Sequence, residues 1–474
     1  MEQKEVDAMI PVLQNRWKLT GTTLVYYGLP QPPRLFRRRI SLSPSAAKTV
    51  AMLDGRRPLE DYPNPSALRR LIRRGVVVDV KDRKAAPASL DEARFCRRCA
   101  ANDYAIPGLE LDENGLCPIC NTEKRFRKCK NVLPVLDRIP TSPGKKYDAA
   151  LFYTGGKDSS YLLWHLARVQ KLRILALTWE TPFMSPWARE SIQHAKAHLP
   201  EVDFLVERAP DAALKTIYRE VYRRQKNVCI CPSVAYVLFF QRLVDWEVPF
   251  LILGNEPAQC RNLIYNGMAP PITFRPGIQR LARWGVNLGR LLTLRRPFKA
   301  GQMELFFTVR QLAFGPAGIV KAIGWRNELV ENTAASLAMA PDFLAPFQTA
   351  VRQAERSGTL PGLVHVDLDD AAGGCYDWAD VKELLAKEIG WVDAPAKDKG
   401  LHTSCSIEKC KEWSQFSRFR DMESTILPFS AVELALASGS GSVDRETAIS
   451  ELKHHSGFTE KPPAEWGVMV EALR

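Results

Sequence analysis

Four short apolar runs mark the middle of the chain, at residues 148–153, 173–179, 203–207 and 249–254. The intervals between them carry apolar residues at helical spacing. Runs of strand length alternating with helices predict a parallel sheet covered on both faces, with ligands outside the carboxyl ends of the strands. The first run, Ala149-Ala150-Leu151-Phe152, passes through a polar, glycine-containing octet into Tyr161-Leu162-Leu163-Trp164-His165-Leu166-Ala167, where helical spacing resumes. Upstream, residues 35–80 read as two helices, the second from Pro65 to Arg74, followed by a strand over Gly75–Val80. Downstream, residues 305–474 read as mainly helical.

The octet Tyr153-Thr154-Gly155-Gly156-Lys157-Asp158-Ser159-Ser160 has the layout of a phosphate cradle. Two glycines let backbone N–H groups approach an anion, and the helix start adds partial positive charge. Asp158 could hold Mg²⁺ or cap the helix. The spacing is not that of the Walker loop, which needs G-x-x-x-x-G-K-[ST]. Candidate ligand-binding positions are therefore Thr154, Gly155, Gly156, Lys157, Asp158, Ser159 and Ser160. The strand ends Thr178-Trp179-Glu180 and Gly254-Asn255-Glu256 add Thr178 and Gly254, with Trp179 read as core before adenine platform.

Composition sharpens this. A chain of 474 residues with 46% hydrophobic content can bury a large core. No run approaches the eighteen apolar residues of a membrane span, and the mixed, acidic start Met1–Asp7 is unlike a secretory signal. A cytoplasmic location is expected. Eleven cysteines then point to metal or catalysis before disulfides. Cys96-Arg97-Arg98-Cys99 and Cys117-Pro118-Ile119-Cys120 are two C-x₂-C knuckles, seventeen residues apart, and fit tetrahedral Zn²⁺ with four thiolates. Cys129 is a spare. Net charge is +13, and Pro257–Met303 contains no Asp or Glu but carries Arg261, Arg275, Arg280, Arg283, Arg290, Arg295, Arg296 and Lys299. Such a one-sign stretch predicts a phosphate-rich ligand or a membrane surface.

The octet resembles the S-G-G-x-D-S signature of the PP-loop ATP pyrophosphatases, with Thr154 in place of the first Ser. The N-terminal helix–turn–helix–strand pattern is winged-helix-like and resembles PqqD-type modules that grip peptides or carrier proteins. Its arginines, Arg37-Arg38-Arg39 among them, could equally touch nucleic acid. The knuckles with Asp112-Glu113-Asn114-Gly115, the loop, and a tail of Tyr376-Asp377-Trp378, Glu388-Ile389-Gly390-Trp391, His402-Thr403-Ser404 and Arg445–Leu452 together resemble the N-acetyl sugar amidotransferases of bacterial surface-sugar biosynthesis.

The resemblance covers roughly residues 94–453. With the strand–helix alternation it implies an α/β fold, with an open parallel sheet of PP-loop type over 145–265 and a zinc-ribbon-like module over 91–130; residues 1–90 fall outside it and read as the winged-helix-like module. A basic segment follows over 266–304, and a helical region over 305–474 completes the active site. It also implies ATP cleavage to AMP and pyrophosphate, adenylation of an acetamido oxygen, and displacement of AMP by ammonia from a separate glutaminase. No glutaminase elbow is present in the chain.

The remaining cysteines depart from this pattern. Cys229-Ile230-Cys231, Cys260, Cys405 and Cys410 are not expected in an ammonia-transferring member. A cysteine pair stands near the Cys229/Cys231 position in PP-loop tRNA thiolation enzymes, where it holds a 4Fe–4S cluster or carries persulfide. Cys229, Cys231 and Cys405 are thus candidates for sulfur chemistry with a sulfur-donor protein, and His402 for a general base or thiol partner. Asp158 and Ser159 are catalytic candidates in either reading. A non-catalytic nucleotide-binding adaptor is the reading from outside enzymology. The acceptor itself is expected to be a small, sugar-like or anionic molecule.

Overall fold

The computed structural model describes residues 8–29, 38–121, 139–267, 276–316, 327–395, 402 and 404–474. Arg37, Cys129, Arg275 and Thr403 lie outside them. No helix among the described residues is long and apolar enough to cross a membrane.

All four predicted runs are strands: β6 (Ala149–Phe152), β7 (Ile174–Trp179), β8 (Asp203–Glu207) and β9 (Phe250–Asn255). They pair in parallel, and a fifth strand, β10 (Gly362–Asp367), completes the order β10-β9-β6-β7-β8. This strand comes from the region expected to be helical, so the sheet extends beyond the expected 145–265 span. Its register runs from Gly362 opposite Phe250 to Asp367 opposite Asn255.

The alternation of side chains explains why the sheet is buried on both faces. Ala150, Leu175, Leu177 and Leu251 enter one apolar core with the helices Asp211–Gln225 and Cys231–Asp245. Ala149, Leu151, Ile174, Ala176 and Ile252 enter the opposite one with Lys157–Trp164, Pro186–His198 and Trp378–Ile389. From β6 the chain runs outward to β7 and β8, then returns past β6 to β9. The crossover reverses between β6 and β9, and in open parallel sheets such a switch point leaves a crevice at the carboxyl ends.

A third core joins the cysteine knuckles to the helices Pro257–Tyr265 and Phe429–Ser440. The N-terminal module keeps its own small core. It contains β1 (Pro11–Leu13) paired with β5 (Val77–Asp79), the meander β2 (Trp17–Thr20), β3 (Thr23–Tyr26), β4 (Arg39–Ser41), and helices Pro44–Ala51 and Pro65–Ile72. Two arginines anchor it to the rest of the protein. Arg16 donates to the carbonyls of Arg420, at 2.9 Å, and Phe419. Arg38 donates to those of Tyr265, at 2.6 Å, and Thr425. Arg38 is thereby committed inside the protein, not offered to nucleic acid.

Candidate functional site

The crevice at the switch point is a cavity of about 440 Å³, within the range of small-molecule sites. Its wall includes Thr154, Gly156, Lys157, Asp158 and Ser159 from the loop, Trp179 from β7, Gly254 and Glu256 from β9, and Cys231. The C-terminal region adds Trp378, Lys382, Trp391, His402, Ser404 and Glu433.

The two loop glycines are present for different reasons. Gly155 has φ +72°, and a Cβ there would sit 2.5 Å from the Ala188 carbonyl oxygen. Trp391 Nε1 donates to the Gly155 carbonyl at 3.0 Å, which fixes the turn from behind. Gly155 is therefore dictated by conformation and packing. Gly156 has an ordinary backbone (φ −77°, ψ 161°) at the start of the helix Lys157–Trp164. Its Cβ would meet nothing closer than Thr154 Oγ1 at 3.4 Å, and Gly156 lines the cavity. The space in front of it is kept for something other than protein. Thr154 Oγ1 and Ser159 Oγ, 3.1 Å apart, hold the loop across its mouth.

Beside the loop lies a buried charge network. Lys157 Nζ contacts Asp158 Oδ1 at 2.5 Å and Glu256 Oε1 at 2.8 Å. It also lies over the rings of Tyr376 and Trp378 at 4.3 and 4.9 Å. Tyr376 Oη donates to Asp158 Oδ1 at 2.9 Å, Gln259 Nε2 to Asp158 Oδ2 at 2.9 Å, and Trp378 Nε1 to Glu256 Oε2 at 2.9 Å. Burial opposes the Asp158 charge, but Lys157 and the Tyr376 hydroxyl outweigh it and hold the carboxyl down to about 2. Glu256 goes the other way. Burial, with Asp158 and Glu433 as like charges, outweighs Lys157 and pushes it up to about 8. Burial likewise raises Glu433. His402 Nε2 stands 3.6 Å from Glu433 Oε2, and its pKa rises because Glu408 and Glu433 outweigh its burial. The cavity wall thus sets Asp158, Glu256, Glu433 and Glu451 against Lys157, Lys382 and His402. Trp179 adds a further open position: its buried indole N–H has no hydrogen-bond partner, at a cost of roughly 1–3 kcal/mol that a ligand could recover.

Some sequence candidates turn away. Thr178 Oγ1 donates to the Tyr153 carbonyl at 2.9 Å, and Ser160 Oγ to the Tyr153 hydroxyl at 3.4 Å; both are buried outside the cavity wall. Glu180 is bound by Arg189 and Arg208.

The cysteines separate into three kinds. Cys260 and Cys410 are buried in two different cores. Cys229, Cys231 and Cys405 gather around Tyr218, and all three raise its pKa after burial does. Cys231 is in the cavity wall. Donation from the Cys231 thiol, helped by Lys411 against the effect of burial, lowers the Cys229 thiol to about 7. Cys231 is correspondingly raised, and burial pushes Cys405 up to about 12. Cys229 is solvent-exposed and is not part of the cavity wall. Cys405 is fixed by a bridge to Met184, which lies beside the loop-packing helix Pro186–His198.

Cys96, Cys99, Cys117 and Cys120 form a separate centre. All four are buried, and their sulfurs lie within 4.8 Å of one another. No other such group occurs among the described residues. Backbone N–H groups of Arg98, Ala101 and Cys117 point at the Cys96 and Cys99 sulfurs at 3.3–3.5 Å. Donation from Cys117, Cys120 and Cys99 holds the Cys96 thiol far down, while the same contacts, Cys117 first, hold Cys99 and Cys120 well up. One thiolate is welcome here, and further ones need a cation. The set fits a metal ion with four sulfur ligands. Arg445 donates twice to the Cys96 carbonyl, and Ser438 Oγ accepts from Ala100 N at 3.0 Å. The knuckles thus brace the helix Phe429–Ser440, which carries Glu433 into the cavity.

Compared with family models and with curated proteins, the sequence finds no match.

Proposed function

We propose that this protein is an ATP-using enzyme of the PP-loop type, which adenylates a carbonyl or amide oxygen of a small acceptor and replaces that oxygen with sulfur. The observation that carries the reading is Cys231 in the wall of the cavity that holds Gly156, Lys157 and Asp158, with the Cys229 thiol lowered by it and Cys405 acting on the same Tyr218.

In the first half-reaction the acceptor oxygen attacks the α-phosphorus of ATP and pyrophosphate leaves. The N–H groups at the start of the helix Lys157–Trp164 and the Lys157 ammonium stabilise the charge on the departing group. Asp158, beside the loop, would help to hold Mg²⁺ brought in with the nucleotide, and the ion would neutralise phosphate charge when bound. In the second half-reaction, terminal sulfur carried as persulfide on Cys231 attacks the activated carbon, and AMP leaves with the oxygen. The Cys229 thiolate then attacks the Cys231 sulfur and releases the thio-product. A Cys229–Cys231 disulfide remains, which an external thiol must reduce. The sulfur enters from a sulfane-sulfur donor. A 4Fe–4S cluster on Cys229, Cys231 and Cys405 is the alternative holder of the transferred sulfur; these three are not drawn together as a single-ion site. The four-cysteine centre is read as structural Zn²⁺.

One observation favours nitrogen instead. The tail that resembles the sugar amidotransferases meets the loop through Tyr376, Trp378 and Trp391 and meets the knuckles through Arg445. In that reading ammonia displaces AMP and the cysteines are spectators.

The test is the product of ATP cleavage followed by labelling of the protein. AMP and pyrophosphate are expected, and ADP would sink both readings. Gly156→Val should block nucleotide binding, since its side chain enters the space in front of the loop. After treatment with polysulfide, intact-protein mass should rise by one sulfur, and Cys231→Ser should lose that increment while keeping AMP formation. Full turnover with ammonia in a Cys229→Ala/Cys231→Ala/Cys405→Ala protein would transfer the case to nitrogen.

A further inference from the structure

The helix Pro276–Leu292 is mounted with its polar side inward. Asn287 exchanges two hydrogen bonds with the Phe298 backbone, at 2.7 and 2.9 Å. Arg290 is buried, donates to the carbonyls of Arg296 and Glu355 at 2.6 and 3.0 Å, and lies 3.8 Å over the Phe298 ring. The charge of Arg283 acts on partly buried Glu304.

The opposite side is apolar and faces outward. Leu281, Trp284, Leu288 and Leu291 follow one another at intervals of three, four and three residues, which is one helical stripe. Leu292 and Leu294 extend it. Leu281 and Trp284 are each 66% exposed and Leu294 is 98% exposed. These six account for much of the large exposed hydrophobic surface among the described residues. Scattered exposed leucines need no explanation, but a continuous stripe marks a contact surface.

Charge identifies what the stripe meets. No acidic residue occurs from Pro257 to Met303, and Arg280, Arg296 and Lys299 are exposed around the stripe. A second copy packed symmetrically would bring the same cations against these cations. An anionic bilayer surface satisfies both features at once. Leucine and tryptophan enter the acyl boundary while arginine and lysine stay among the phosphates.

We propose that the helix Pro276–Leu292, with the turn through Lys299, is an interfacial anchor that lies flat on an anionic membrane. The acceptor or its carrier would then be met at a lipid surface, whichever atom the cavity transfers.

Flotation of the full chain with phosphatidylcholine vesicles, with and without phosphatidylglycerol, tests this. Binding should require phosphatidylglycerol and weaken steeply with salt. Leu288→Glu/Leu291→Glu should lower the partition coefficient by about tenfold or more, with an unchanged circular dichroism spectrum. Arg296→Glu/Lys299→Glu should lower it less and should flatten the salt dependence. Equal binding to uncharged vesicles, or no loss in the double glutamate variant, would overturn the proposal. So would a concentration-dependent dimer that the same variant abolishes, because the stripe would then belong to a second copy. Absence of flotation altogether would equally reject the membrane.

Discussion

Cys96, Cys99, Cys117 and Cys120 close on one point, buried, with cross-pair sulfurs 3.6 and 3.7 Å apart and backbone N–H groups aimed at them. Cys229, Cys231 and Cys405 share a neighbourhood but no common point, and two of the three are only partly covered. The first group has no free coordination position to offer once it holds an ion, so its effect is on structure. The second offers a thiolate, a neighbouring thiol and an opening onto a cavity, which is what a reaction needs. Cysteine count does not distinguish them. The difference lies in where each chain segment is held: the knuckles by their own turns, the other three by a helix start and by the bridge between Met184 and Cys405.

The largest effect separates the groups by stability. Cys117→Ser should remove the metal and destabilise the protein by about 4 kcal/mol or more, because metal binding contributes directly to folding. Cys231→Ser should change stability by less than about 1 kcal/mol. Denaturant titration of both variants checks this, and equal losses would break the comparison.

Activity should rank them in reverse. Cys231→Ser is expected to abolish sulfur incorporation while AMP formation continues. Asp158→Ala should lower AMP formation by about a hundredfold or more with the fold intact, if the carboxylate has the proposed contact with nucleotide and metal. If Cys117→Ser at low temperature loses AMP formation while still folded, the knuckles belong to the chemistry and the division made here is wrong.

A milder intervention sharpens the same point. Chelation of the metal should lower the melting temperature and loosen the helix Phe429–Ser440, since Ser438 and the Gly439 carbonyl tie it to the knuckles. Hydrogen exchange in that helix should rise before exchange in β6 or β7 does. Simultaneous release of helix and sheet would show that the knuckles support the whole domain and not one wall of the cavity.

The sequence carried the parts that obey local rules. Four strands follow from short apolar runs, the loop from its glycines and the knuckles from their spacing. The same rules could have placed Thr178. Leu177 and Trp179 line the cavity, and a period of two puts Thr178 on the other side. Strand β10 was not legible because Leu363, Val364 and Val366 form a short run whose partner, β9, is far away in sequence. The network around Asp158 was hidden for the same reason. Tyr376, Trp378, Gln259 and Glu433 reach it from three later helical segments, and local spacing says nothing about which of them will meet. Gly155 and Gly156 look equivalent in the chain, and only the neighbouring Ala188 carbonyl tells them apart.

The smallest effect is the most discriminating. Cys229 titrates near 7 because Cys231 donates a hydrogen bond to its thiolate and Lys411 adds positive charge. Its alkylation by iodoacetamide should therefore rise through neutral pH and level off above about 8, one unit past the titration. Cys405, pushed up to about 12 by burial, should stay unreactive across that range. The metal-loaded knuckles should not react either, since their sulfurs are buried and ligated. Cys231→Ala removes the donor, and the Cys229 profile should move toward the ordinary thiol value of about 8.5. Cys231→Ser keeps a donor and should leave the profile near 7. A merely structural role for Cys231 predicts the same profile in both variants. Site-resolved mass spectrometry across pH distinguishes these outcomes. Identical profiles for Cys231→Ala and Cys231→Ser would remove the thiol pair from the mechanism and leave Cys229, Cys231 and Cys405 no better than the cysteines buried in the cores.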